Sequence, residues 1–519
     1  MIADPGPSTS TGEASDAAAL RKQGNAHLQQ GQLTQAAECY RQAVAADPAD
    51  AAAHVNLGFV LRELELPADA LRHLQQAVQL DPALGDAHYL LGVLATDRNE
   101  PEAAIAHLRR ALEVEPGLEA GYRDLFSLLF RSGQLAGARD VMERAIAMWP
   151  RVAEFRCYLG NVLNTEEDYD GAAACYRAAL AIAPDSAGAH NDLGCVLENL
   201  GLLDEALGSY GQALQIQPGH FDALVNLGNV HVRRGRLDEA RRCYERAIES
   251  DGNRSEAHTG LGDVCVRQGD FEEGLRHYRE AVRLQPTPFA KHIEAALSGA
   301  NPEHAPGQYV EGLFDYFAAD FDTQLVDVLK YDIPRQLSAA VRDIAKPSPR
   351  AWDVLDLGCG TGLAGVVVAD VARQLVGVDL SSKMLAKAEA RKIYQRLERN
   401  DLLVAMQAER DAQYDLVIAA DVFVYVGRLD AIVAEAARLL RPGGLLAFSV
   451  EDMEHAPAEP QDFRLKRTAR YGHSAEYLER LAAEQGFAIR HMRPVQVRIE
   501  RGKPVDGSLA VWSRDPSLP

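Results

Sequence analysis

The sequence predicts two fold classes in one chain of 519 residues: an all-α array of stacked helix pairs over 17–288, then an α/β doubly wound domain over 351–519. Three observations predict them. Small residues and prolines recur every 34 positions from Ala17 to Pro288 without insertion, the mark of a repeating helical unit. Beyond residue 350, short apolar runs alternate with helical patterns, as in a parallel sheet covered by helices. The first of those runs, Trp352 to Leu357, ends in a turn carrying Gly358, Gly360 and Gly362.

Composition sets the limits. Apolar residues make up 47% and charged residues 25%, the balance of a globular protein. No apolar run reaches the roughly 18 residues of a membrane span, and Met1 to Ala19 lacks a basic region followed by an apolar core, so neither a membrane role nor a secretory signal is expected. Residues 1–16, rich in Pro, Ser, Thr, Gly and Asp, are expected to be disordered. The seven cysteines form no C-x-x-C pair, which favours reduced thiols, a cytoplasmic location and no metal site. Net charge is −21, of which residues 17–288 carry −13 (26 basic, 39 acidic). So acidic a chain is poorly suited to neutralising phosphates, so no nucleic-acid partner is expected; neutral or basic proteins and small molecules are.

Within the array, glycine returns as Gly24, Gly58, Gly92, Gly160, Gly194, Gly228 and Gly262, with Phe126 in the fourth slot. Alanine returns in all eight units, from Ala43 to Ala281, and proline closes seven of them, from Pro48 to Pro286. Small residues let two helices approach, and proline ends the second. This pattern resembles the tetratricopeptide repeat, eight times over. The resemblance implies a superhelix with a concave groove for a protein or peptide. His54, His88, His190 and His258 share one slot, and Cys39, Cys175 and Cys243 another; both sets are expected to pack rather than to bind metal. Asn56 and Asn226, and Asn25, Asn161 and Asn229, fall on first helices, which in this family line the groove. A ladder of carboxamides can bind a peptide backbone, as in repeat proteins of the O-GlcNAc transferase type, and here Lys22, Leu90, Tyr158 and Gly260 interrupt it. Repeat packing alone is the alternative use of these asparagines.

Residues 289–350 leave the period. Asn301 to Pro306 reads as a linker, and a helix-like segment runs from Phe314 through Leu337, with Phe314, Phe317 and Phe321 on one face. Strands are expected to Leu357 and at 375–378, 394–400, 414–420 and 444–450, with helices at 363–372, 382–393, 429–440 and 474–485. Further runs lie near 487–499 and 508–513.

The glycine turn separates two readings. A dinucleotide fingerprint spaces its glycines G-x-G-x-x-G. Here the third glycine comes one residue early, and Asp356 stands two residues before the first, where a pyrophosphate would be repelled. The motif Val354-Leu-Asp-Leu-Gly-Cys-Gly-Thr-Gly362 resembles the first motif of class I S-adenosylmethionine-dependent methyltransferases. Asp379-Leu-Ser-Ser-Lys-Met384, Tyr414 to Asp421 and Arg441 to Phe448 resemble later segments of that family, in order. Tyr309 to Pro334 resembles the junction of bacterial predicted methyltransferases that carry tetratricopeptide repeats, with Phe317 where Tyr is expected, and a cap that closes over the cofactor.

The fold implied is an all-α tetratricopeptide superhelix, a linker and helical cap over 289–350, and a Rossmann-like α/β doubly wound class I methyltransferase domain with one antiparallel strand near its end. The resemblance implies S-adenosyl-L-methionine as cofactor. It assigns Gly358, Cys359, Gly360 and Gly362 to the cofactor turn and Asp356 to the methionine ammonium. It places Asp379, with Leu380 and Met384, at the ribose, Asp401 and Leu402 at the adenine, and Asp421 near the sulfonium. Each aspartate has the alternative role of a cap or turn residue. Tyr425, Tyr471 and His473 are candidates for orienting or deprotonating an acceptor. The function expected is methyl transfer to an unidentified acceptor, the array recruiting a protein substrate or partner. The alternatives are a scaffold whose methyltransferase-like domain binds cofactor without turnover, and a nicotinamide-dependent oxidation.

Overall fold

A glycine and a bulky side chain sixteen positions later hold each repeat together. In the computed structural model of the chain, residues 10–318, 321–323, 325, 329–453, 461–500 and 503–515 are described. A Cβ on Gly24 would stand 2.5 Å from the Tyr40 ring, one on Gly58 2.6 Å from Leu74, and one on Gly194 2.5 Å from Tyr210. The slot must be empty for the second helix to lie down on the first. In the fourth repeat the exchange is inverted: Phe126 fills the glycine slot and the flexible Met142 replaces the ring, both buried in one cluster.

The turn between the two helices is equally regular. Position 15 of every unit has a left-handed backbone: Gly31, Gly133, Gly201, Gly235 and Gly269, and also Glu65, Asn99 and Glu167, at φ 59°, 58° and 62°. Second helices begin on Pro67 and Pro101, or on side-chain caps such as Asp168 and Asp270, which accept from Gly171 and Glu273 amides at 3.0 Å. Residues 1–9 of the expected disordered lead-in lie outside the described residues, and helix already begins at Ser10.

The chain forms two compact units, one ending at Val230 and one starting at His231. The end of the repeat array thus shares a unit with the α/β domain. In that second unit, helix Phe271–Leu284 packs on Pro288–Ser298, which packs on Gly307–Phe317. Arg467 lies over the Phe271 ring, 4.9 Å from its centroid, and the His292 Nε2 meets the Ala469 carbonyl at 3.0 Å. The segment read as a linker is tied to the sheet domain. Asn301 donates to the Phe463 carbonyl at 3.0 Å and accepts from the Leu465 amide at 2.7 Å, and the Gly427 and Arg428 amides donate to the Glu303 carbonyl at 2.8 Å. The single helix expected from Phe314 to Leu337 is broken: one helix ends at Phe317, Phe321 and Asp322 are helical again, another helix runs Ile333–Ala345 from a proline in its first turn, and Lys330 before it is left-handed.

Nine strands form the sheet: β1 Trp352–Leu357, β2 Ala372–Asp379, β3 Arg396–Arg399, β4 Tyr414–Ala419, β5 Leu440–Asp452, β6 Phe463–Leu465, β7 Tyr471–His473, β8 Phe487–Glu500 and β9 Lys503–Arg514. The parallel part has the order β3-β2-β1-β4-β5. β9 joins β5 antiparallel and β8 joins β9 antiparallel, while the end of β5 pairs parallel with β7, itself antiparallel to β6. One antiparallel strand was expected; the short β6–β7 hairpin carries too few residues to show a period. One face is covered by a core including Met406, Phe423, Leu439 and Trp512, the other by one including Ile333, Leu337, Val368 and Val511. Strand order reverses between β1 and β4, which opens a crevice at their carboxyl ends.

Candidate functional site

That crevice is a cavity of about 700 Å³. At one end lies the turn after β1. Gly358, Gly360 and Gly362 have φ of 59°, 54° and 91°, the region open to glycine without strain. Gly358 is pressed against Val422, where a Cβ would sit 2.7 Å from a methyl, but a Cβ on Gly360 would meet nothing within 4 Å. The turn thus offers a bare backbone to whatever occupies the cavity. Asp379, at the end of β2, accepts from the Gly360 amide and the Ser381 amide, both at 2.8 Å. Burial raises its pKa, and the backbone amides of Ser381, Gly360 and Leu380 restrain that rise. Cys359 and Leu380 share this wall; burial raises the Cys359 thiol well above its ordinary value.

After β3, Asp401 caps helix Leu402–Ala408, accepting from the Leu403 amide at 2.9 Å, and both Asp401 and Leu402 line the cavity. After β4, Asp421 has a left-handed backbone at φ 60°, a strained placement of the kind that clusters at functional sites. Its amide donates to Ser449 Oγ at 2.9 Å, and its carboxylate takes Arg498 Nη1 on both oxygens at 2.9 and 2.8 Å. Burial raises the Asp421 pKa and Arg498 opposes that rise.

Three residues expected at the cofactor, Asp356, Gly362 and Met384, do not line the cavity; a Cβ on Gly362 would stand 3.1 Å from the Arg391 and Tyr394 side chains. Asp356 is fully buried inside β1, where it accepts from the Tyr394 hydroxyl at 2.6 Å, and its Oδ1 lacks a well-aligned hydrogen-bond partner. Desolvation raises its pKa to about 7, and the nearby Asp379 adds to the rise. Met384 is fully buried on the inner face of helix Ser382–Ala390. Asp356 and Met384 sit one layer deeper than the motif suggested, because alternate strand residues and the inner helix face point into the sheet packing.

Of the acceptor-side candidates, only Tyr425 lines the cavity; burial raises its pKa. His473 is 3% exposed, with Nε2 held between the Val426 and Gly427 carbonyls at 3.0 and 2.9 Å, and desolvation lowers its pKa to about 4. Tyr471 is fully buried with its hydroxyl unpaired. Neither can meet an acceptor in the cavity. β7 pairs on one side with β5 and on the other with β6, and both side chains face that packing.

Sequence reasoning missed a buried ion-pair network at the cavity's far end. Arg498 donates to Asp421, to Glu451 and, at 2.7 Å, to Glu500; Arg470 donates to both Glu500 oxygens at 2.6 Å; Lys466 pairs with Glu451. Glu451 is fully buried, yet Arg470, Arg498 and Lys466 together outweigh its desolvation and bring its pKa to about 2. These residues are scattered from Asp421 to Glu500, so no spacing announces them. Above them, Tyr309, Phe314, Leu329 and Tyr331 form an apolar wall. The stripe Phe314, Phe317 and Phe321 lines this cavity.

In the array, three of the four slot-sharing histidines face a second histidine nineteen positions on. Nδ1 atoms of His54 and His73, His88 and His107, and His258 and His277 lie 3.0, 3.3 and 3.1 Å apart. The co-occurrence is visible in the sequence once the period is known. The asparagines spend part of their capacity internally: Asn25 accepts from Tyr40 and Asn56, Asn161 from Tyr176, and Asn191 from Asn226, at 2.5–3.1 Å.

Comparisons with known proteins agree with this geometry. A methyltransferase-domain family matches residues 355–448, and tetratricopeptide-repeat families match stretches from residue 24 to residue 287. A probable S-adenosylmethionine-dependent methyltransferase of Mycolicibacterium smegmatis is 35% identical over 97 residues, 19% of this chain and 37% of that protein. A malonyl-[acyl-carrier protein] O-methyltransferase of Enterobacter lignolyticus is 33% identical over 118 residues, 23% of this chain and 46% of that protein. The chain thus spans less than half the length of these relatives. Among solved structures, YrrB, a tetratricopeptide-repeat protein with an unusual peptide-binding site, is 24% identical with a TM-score of 0.34, covering 36% of this chain and 97% of its own. No helix among the described residues is long and apolar enough to cross a membrane.

A five-stranded parallel sheet with a glycine turn after β1 and an aspartate after β2, matched by the methyltransferase family, defines a class I methyltransferase domain. The chain is a tetratricopeptide-repeat protein carrying that domain, and S-adenosyl-L-methionine is its expected cofactor.

Proposed function

We propose that the protein transfers a methyl group from S-adenosyl-L-methionine to an acceptor bound in the 700 Å³ cavity, and that the repeat array recruits a protein substrate or partner. The observation that carries this reading is the bare backbone at Gly360, beside Asp379 and open to the cavity. The residues present fit the cofactor. Gly358 and Gly360 allow close approach, with Cys359 and Leu380 flanking. Asp379 accepts from ribose hydroxyls, Asp401 and Leu402 border the adenine, and Asp421 faces the sulfonium end. Asp356 and Met384 lie one layer deeper. When bound, the cofactor supplies an already activated methyl. The chain's part is to align the acceptor, exclude water and hold charge in place. The array, with a net charge of −13 over residues 17–288, suits a neutral or basic peptide, and the protein acts in the cytoplasm.

Titration of the full chain with S-adenosylhomocysteine, and in parallel with NAD, tests the reading. Micromolar binding of the former, lost in Asp379→Ala, is expected; binding of NAD alone would refute it. A second reading, a scaffold that binds cofactor without turnover, draws on the locking of Asp421 and Glu500 in ion pairs and the seclusion of His473. Labelled-methyl transfer in lysate by the full chain separates the two. Labelling that disappears when residues 17–230 are removed supports recruitment by the array.

A further inference from the structure

Arg470 and Arg498 stand side by side at the far end of the cavity, and their hydrogen bonding differs. Arg498 is 3% exposed and partnered at every guanidinium nitrogen: Nη1 serves Asp421, Nη2 serves Glu451 and Nε serves Glu500. Arg470 is not. Its Nη2 donates to both Glu500 oxygens at 2.6 Å, and its Nε lies 2.8 Å from Glu451 without the alignment of a hydrogen bond. Its Nη1 has no partner among the described residues. The side chain is 17% exposed, and Arg470 lines the cavity. A guanidinium with an unused edge on an enclosed wall is costly unless something completes it.

We propose that Arg470 grips the ionised carboxylate of a small apolar acid and that this acid is the methyl acceptor, a carboxylate oxygen forming the O–CH3 bond of a methyl ester as the S–CH3 bond breaks and S-adenosylhomocysteine leaves; the inference rests on the methyl-transfer reading above. Charge selects the class. Lys466, Arg470 and Arg498 balance Asp421, Glu451 and Glu500, so the network is neutral and offers one open donor edge. A singly charged carboxylate meets that edge with a charge-assisted bond. A doubly charged phosphate would bring a second charge into a largely enclosed site with no second free cation among the described residues, and the desolvation cost would rise accordingly. The walls select the body. Tyr309, Phe314, Leu329, Tyr331 and Tyr425 surround the same end, suited to a flat or aliphatic group. Tyr425 and Tyr309 lie close enough for Arg470 to act on their hydroxyls, which burial otherwise holds far from ionisation.

The test uses the full chain saturated with S-adenosylhomocysteine, titrated calorimetrically with benzoate and octanoate and with the uncharged benzamide and octanamide. At least one acid is expected to bind about 10- to 100-fold more tightly than its amide, the range of a hydrogen bond to a charged group. Arg470→Gln should erase that difference and Arg470→Lys retain part of it, with S-adenosylhomocysteine affinity unchanged in both. Acids and amides binding alike, or neither acid binding, while the homocysteine compound binds normally, overturns the proposal and leaves the methyl-transfer reading intact. Failure of the homocysteine compound itself to bind the unaltered chain would remove that reading and this one with it. Should Arg470→Gln not fold, the acid–amide contrast in the unaltered chain and the Arg470→Lys variant decide the matter.

Discussion

One added methyl group distinguishes a cofactor turn from a merely structural one. At Gly360 the backbone is left-handed, and the Cβ of an alanine would meet no protein atom within 4 Å. Gly360→Ala therefore costs the fold only the left-handed penalty of about 1–2 kcal/mol, partly offset by about 0.4–1 kcal/mol from a less flexible unfolded chain. The new methyl projects into the space assigned to the cofactor. If the turn must lie against that ligand, the overlap is one of overpacking, about 1–3 kcal/mol, or about 5- to 150-fold in affinity. Gly358→Ala is the contrasting case: its Cβ would sit 2.7 Å from Val422 at φ 59°, so the damage there falls on folding. Calorimetry with S-adenosylhomocysteine and thermal melting, run on both variants, read the two effects separately. Unchanged affinity in Gly360→Ala with a small fall in melting temperature would refute the placement of the cofactor against this turn.

Three further outcomes are expected. Glu65→Gly and Glu167→Gly relieve left-handed non-glycine residues at the turn slot where five other repeats carry glycine; each should stabilise the array by about 0.5–1 kcal/mol net of the added unfolded-state entropy, read by urea denaturation. Asp356, with its pKa raised to about 7 in the folded state, binds more protons folded than unfolded between about pH 4 and 7. Its contribution to stability is therefore lost progressively as pH rises from about 4 through 7, and Asp356→Asn should raise the melting temperature most at pH 8 and change it little at pH 4. Arg498→Met leaves three carboxylates facing two cations in a buried network, a loss of about 3–5 kcal/mol. Part of this should return as pH is lowered and a carboxylate protonates, followed by melting at pH 5.5 and 8.

Periodicity made the repeats legible because their packing rule is local: Gly24 with Tyr40, or Gly194 with Tyr210, lie in the same unit and recur. The glycine turn was legible because three left-handed residues in five can only be glycine without strain. What escaped was non-local or too short. Asp356 and Met384 lie in motifs whose spacing says nothing about which side of the sheet a side chain faces. His473 seemed exposed before a helix, and the three-residue strand that buries it has no readable alternation. Arg470 and Arg498 meet only when β7 pairs with β5 and β8 pairs with β9 on the other side of β5, and no window of sequence contains both partners and the cavity they border.

The stretch from Asn301 to Ala305 has a consequence for anyone rearranging this molecule. It bonds to β6 and to the turn after β4, and it contributes Glu303, His304 and Ala305 to the cavity wall. A chimaera that grafts a foreign repeat array onto residue 351 would be cutting away part of the pocket. The exchangeable cartridge ends nearer Val230, and since that residue lies inside helix Phe221–Arg233, engineers seeking new partners for this domain should splice in the turn that follows, at Gly235.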